Sequence, residues 1–129
     1  MTLGAYIRLV LTQDAAVAAL AGDRVWSDLL PQKPALPAAV LSLVSGDRDV
    51  TLEGWHGVAA QRVQIDAWAT TRAQAVALGQ AILAVMAGHA GAAGGLEVQG
   101  SVLVLERWDY EPDTKLFRVT QDFEVHVAG

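Results

Sequence analysis

Ala60-Gln-Arg-Val-Gln-Ile-Asp-Ala-Trp-Ala69 alternates residue by residue. Val63, Ile65, Ala67 and Ala69 fall on one side, and Arg62, Gln64, Asp66 and Trp68 on the other. Neighbouring side chains of an extended chain point to opposite faces, so a period of two predicts a strand with one dry face and one wetter face. The period then changes. Thr71-Arg-Ala-Gln74 has the spacing of a capping box. Ala75, Leu78, Ile82, Val85 and Met86 follow at helical intervals, predicting an amphipathic helix to about Gly88. A one-sided strand running straight into a one-sided helix is the kernel of an α+β layer, helix on sheet.

Reading outward from this kernel extends both layers. Towards the C-terminus, Gly91 to Gly95 reads as a flexible turn. Leu96 to Glu106 is a strand in which Gly100 marks a bulge. Arg107 to Asp113 is acidic and aromatic and stops at Pro112. Leu116 to Val127 alternates again, with Phe117, Val119, Phe123, Val125 and Val127 on one face. Towards the N-terminus, Leu3 to Leu20 is helical, with a break near Thr12 to Asp14 and a stop at Gly22. Arg24 to Leu30 is an edge strand or extended segment. Pro31, Pro34 and Pro37 make the next stretch a structured loop. Ala38 to Ser45 is a strand. Gly46 to Gly57 is either a long hairpin arm or a loop that orders on assembly. The expectation is one domain over 1–129: a mostly antiparallel sheet of four to five strands with two main helices packed on one face.

Composition narrows the function classes. The 129 residues are 53% hydrophobic and 18% charged, with a net charge of −5. Extra apolar surface on a small subunit marks either a self-association face or merely an alanine- and valine-rich chain. A net-acidic domain does not grip phosphate over a broad face. There are no cysteines, hence no disulfide framework and no thiolate metal site. No targeting segment and no stretch near ~20 apolar residues is apparent, so a soluble protein made and used inside a cell is expected.

Chemical motifs are sparse. Gly91 to Gly95 follows a helix instead of opening one, so it lacks the geometry of a phosphate loop. His56, His89 and His126 are scattered, although Glu124 and His126 share a strand face as a metal pair or a solvated polar pair. Asp109, Glu111 and Asp113 surround Trp108 and Tyr110. They read as general acid and base, as calcium ligands, or as a solvated or partner-facing acidic edge. Trp55 lies in the glycine-bounded segment and Trp68 on the wetter face of its strand. Both are candidates for subunit contacts, unless a folded-back loop of the same chain covers them.

Four runs together resemble a family of phage tail-completion, or tail-terminator, proteins. They are Asp14-Ala-Ala-Val-Ala-Ala-Leu-Ala-Gly-Asp-Arg-Val25, Leu36-Pro-Ala-Ala-Val-Leu41 with Ser45-Gly-Asp-Arg-Asp49, Gln61-Arg-Val-Gln-Ile-Asp-Ala-Trp68, and Tyr110-Glu-Pro-Asp-Thr-Lys-Leu-Phe-Arg-Val-Thr-Gln-Asp-Phe123. The resemblance spans nearly the whole chain in the same order, and such proteins occur in siphophages, prophages and gene transfer agents. It implies an α+β structural protein without catalytic residues, cofactor or metal. It implies a hexameric ring that caps the head-proximal end of a long tail tube, stops polymerisation and offers a docking surface to the head. The partners implied are further copies, the major tail tube protein and a head-completion or connector protein. DNA would pass through without specific binding, no membrane is involved, and the location is the virion tail after assembly in the host cytoplasm. On this reading Arg48, Asp49, Trp55 and Trp68 make subunit or tube contacts, and Asp109, Glu111 and Asp113 form an acidic rim or lumen. The alternatives are another neck component, or a small α+β ligand-binding module or enzyme.

Overall fold

The computed structural model describes the backbone of residues 1–51 and 54–128, and the side chains of 1–44 and 60–128. Its frame is one sheet of six strands: β1 (Val25–Ser27), β2 (Ala38–Thr51), β3 (Gly54–Ala69), β4 (Gly91–Ala93), β5 (Leu96–Glu111) and β6 (Leu116–Ala128). Their spatial order is β1-β2-β3-β6-β5-β4. The four long strands pair antiparallel, β2 with β3, β3 with β6 and β6 with β5.

The architecture is α+β as expected, but the sheet has six strands where four to five were expected, and it is mixed. The unexpected member is β4, while β1 lies within the Arg24 to Leu30 stretch read as an edge strand or extended segment. β1 runs parallel to β2, pairing Val25 with Ala39, because the proline-punctuated stretch between them carries the chain back before β2 starts. β4 lies in the segment read as a turn. Gly94 and Gly95 both have positive φ (56° and 82°), the requirement of a two-residue hairpin, and Ala93 pairs with Leu96 across them. Gly46 to Thr51 and Gly54 to Gly57 continue β2 and β3 as paired backbone, with Val50 opposite Trp55.

Three helices accompany the sheet instead of two. α1 (Leu3–Gln13) and α2 (Ala15–Ala21) meet at a bend of 88°. Asp14 makes the break. Its amide donates to the Leu11 carbonyl at the end of α1, while its carboxylate accepts from the Val17 amide at the start of α2. α3 (Arg72–Met86) is capped by Thr71, whose hydroxyl oxygen accepts from the Gln74 amide at 3.2 Å. The other half of the capping box does not form, because the Gln74 side chain meets the Thr70 hydroxyl at 3.1 Å. Among the described residues, no single helix is long and apolar enough to cross a membrane.

The core lies between the helices and one face of the sheet. Tyr6, Ile7 and Leu11 of α1, Val17 of α2 and Leu78, Ile82 and Met86 of α3 meet Val63, Ile65, Val119, Phe123 and Val125. Gly79 lets α3 ride close to β6, since a Cβ there would stand 3.0 Å from Val119 Cγ1. Gln121 is buried in the same place; its amide nitrogen donates to the Gly79 carbonyl and to Glu106, both at 2.8 Å. These two bonds offset part of the cost of burying the amide.

Candidate functional site

The opposite face of the sheet carries the polar residues of every alternation. Cross-strand register sets Gln64 beside Asp122, Asp66 beside Thr120 and Trp68 beside Arg118. On the other flank, Arg107 lies beside Thr120 and Asp109 beside Arg118. Among the described side chains of the long strands, six carboxylates (Asp66, Glu97, Asp109, Glu111, Asp122 and Glu124) share this face with three guanidiniums (Arg62, Arg107 and Arg118). The face is therefore net acidic, although no helix shields it.

Its centre is nevertheless drier than a solvated surface. Asp66 and Asp122 are each 8% exposed and Thr120 is 1% exposed. The Thr120 hydroxyl donates to Asp66 at 2.7 Å, and Arg62 donates to Asp122 at 3.2 Å. One Asp122 oxygen (Oδ1) and the Arg118 Nε are buried without a hydrogen-bond partner. Arg118 also donates to Asp109 at 3.1 Å, and Arg107 donates to the same oxygen at 3.3 Å. The hydrogen bond from Arg118, reinforced by Arg107, holds the Asp109 carboxyl below the usual aspartate range against the opposing effect of desolvation. The Arg118 guanidinium lies 5.1 Å from the Trp68 ring centre.

The strand end near the β5–β6 turn is covered. Trp68 packs with Val40 and Leu116 beneath Leu30 and Leu36 of the proline-punctuated loop. Beside them lies a groove of about 580 Å³ whose lining includes Lys33, Trp68, Glu111 and Thr114. Trp68 is thus covered within its own chain, the second of the two possibilities left open by the sequence. Trp68 and Asp109 are joined through Arg118, Glu111 stands at the groove, and Asp113 sits exposed in the turn. The side chains of Arg48, Asp49 and Trp55 lie outside the described residues. Glu124 and His126 approach to 3.7 Å, and among the described residues no third metal ligand joins them.

Sequence reasoning did not single out Arg62, Arg118, Thr120 or Asp122. Their signal was present in the polar half of the two alternations, but only the β3–β6 register pairs them. The other residues it passed over are apolar. Leu43 and Val44 on β2, and Val102, Val104 and Leu105 on β5, are between 43% and 61% exposed.

The family model described as "Tail completion protein gp17" matches residues 5–128. The chain belongs to this family. As a tail completion protein, the chain is a structural protein of a phage-type tail. No curated protein matched the chain in sequence. Among solved structures, a chain of the "Virion of native gene transfer agent (GTA) particle" is similar at a TM-score of 0.76 and 24% identity, covering 98% of this chain and 95% of that one. That likeness is one of fold.

Proposed function

We propose that this tail completion protein assembles as a closed ring, hexameric by the family resemblance, on the last ring of a tail tube. There it stops further polymerisation and presents the surface to which the head docks. The observation that carries the reading is the family match over residues 5–128. The open face supports it. A net-acidic wall repels phosphate, so DNA slides past such a surface without adhering. Asp109, Glu111 and Asp113 would contribute to an acidic rim or lumen at the β5–β6 end. Arg48, Asp49 and Trp55, at the β2–β3 end, would meet a neighbouring subunit or the tube, while Trp68 would act only by anchoring the loop that covers it. The protein has a mechanical role in the virion, with no bond-making step assigned to any residue.

The test is loss of the gene in the producing phage or particle system. Tails of uncontrolled length that fail to join filled heads are expected. Normal-length tails attached to filled heads would overturn the reading. Purified protein mixed with tail tubes should appear by negative stain as an annulus at one tube end. Binding to portal-side proteins without binding to tubes would indicate a different neck component instead.

A further inference from the structure

The four long strands leave two sheet edges open, and the openings are level with one another. β1 covers β2 only at Ala39 to Leu41, and β4 covers β5 only at Leu96 to Val98. Among the described residues nothing pairs with the outer side of β2 from Ser42 onward, or with the outer side of β5 from Gln99 onward. The rows of the sheet can be followed from edge to edge. Ser42 lies opposite Gln64, then Asp122, then Leu105; Leu43 opposite Val63, then Phe123, then Leu103; Asp47 opposite Ala60, then His126, then Gly100. Ser42 to Asp47 and Gly100 to Leu105 are therefore two free segments at the same height on opposite edges.

These segments are built unlike edges meant for solvent. A strand edge is normally protected by lysine, proline or inward charge, yet the level segments Ser42 to Gly46 and Gly100 to Leu105 contain no charged residue and no proline. Leu43 (61% exposed), Val44 (53%) and Val102 (59%) cluster instead at the shared height. Each edge carries a register shift there, between Leu43 and Ser45 and between Leu103 and Leu105. A bulge by itself turns an edge away from pairing. Here both edges have one at the same level, so the two outlines bend together.

We infer that the β5 edge of one copy pairs antiparallel with the β2 edge of the next, joining the sheets of successive subunits head to tail. This deepens the annular reading above and rests on it. Strand polarity favours the join. β2 runs with β6 and against β5, and rotation about an axis along the strands preserves each strand's direction. A neighbour brought round by such a rotation offers β5 to β2 in the antiparallel sense. The two edges are different surfaces, which is what a heterologous, ring-closing interface needs. Tilting the strands against the axis shifts the register without changing the polarity.

The chain has no cysteine, so introduced thiols report cleanly. The double variant Val44→Cys/Val104→Cys, bound to tail tubes and treated with a short bismaleimide, should give a ladder of covalent oligomers. Each single variant should give none beyond monomer. Annuli visible by negative stain with no ladder from the double variant would overturn the edge join while leaving the ring intact. Covalent dimers from a single variant would show edges pairing with their own kind, and would also overturn it. No annulus under any condition would remove the ring reading and this inference with it. Val102→Lys, checked for an unchanged thermal midpoint, should lower tube-end occupancy at least tenfold; undiminished occupancy counts against the join.

Discussion

The two faces of this sheet are made by the same strands and are held by different physics. On the helix side, Phe123, Val63 and Ile65 are almost completely buried against α1 and α3. Non-directional burial stabilises that side, roughly in proportion to the apolar area removed from water. On the open side, Asp66, Thr120 and Asp122 are also nearly buried, but directed hydrogen bonds and ion pairs keep them there. The contrast teaches where tolerance lies. The helix side responds to volume; the open side responds to the presence or absence of single partners.

Four substitutions set the two sides against each other. Phe123→Ala should have the largest effect, a loss of about 3–5 kcal/mol in denaturant unfolding, because a large cavity opens under α3. A loss no greater than that of an open-face variant would erase the contrast. Thr120→Val keeps the shape and removes the hydroxyl that donates to Asp66. It should cost about 1–3 kcal/mol by leaving a nearly buried carboxylate underpartnered. An unchanged midpoint would mean that water already satisfies Asp66.

Tyr6→Phe tests the polar exception on the helix side, where the hydroxyl meets His89 Nε2 at 2.7 Å. A loss of about 0.5–1.5 kcal/mol near neutral pH is expected. Burial raises the Tyr6 pKa above its ordinary value of 10.0. The stability tied to the neutral phenol is therefore fully present below that value and lost as pH rises through the raised one. The Phe variant should lack this alkaline component. The smallest effect belongs to Asp109. Its carboxyl is held low by Arg118 and then Arg107, so its contribution is present above the ordinary aspartate range and disappears as pH falls through the lowered value. Arg118→Gln should move the Asp109 titration, followed by carboxyl NMR, back upward. The wild-type shift should shrink in high salt, because the pair is partly exposed.

Local signals carried much of the fold. The strict alternation of Val63 to Ala69, the threonine ahead of α3 and the aspartate at the α1–α2 break each act within a few residues, and each is readable from the chain alone. β1 was legible only as an edge strand or extended segment over Arg24 to Leu30, its parallel pairing with Ala39 to Leu41 hidden by the loop between; β4 was not legible, because three small residues hold no period. The open face shows the same division. Arg62, Asp66, Thr120 and Asp122 were legible as polar positions, but their partnership depends on how β3 and β6 align across more than fifty residues. Trp68 lay on the wetter side by parity, while its cover comes from Leu30 and Leu36, over thirty residues earlier.

Gly79 has a consequence beyond packing. With only a hydrogen atom between α3 and Val119, it acts as the shim that sets how thick the helix-on-sheet slab is. Alanine there would meet Val119 Cγ1 at 3.0 Å, and anything larger would lift the helix outward. Such a wedge would thicken the subunit across its two layers while leaving its strand edges alone, so that thickness and edge outline are set by different residues.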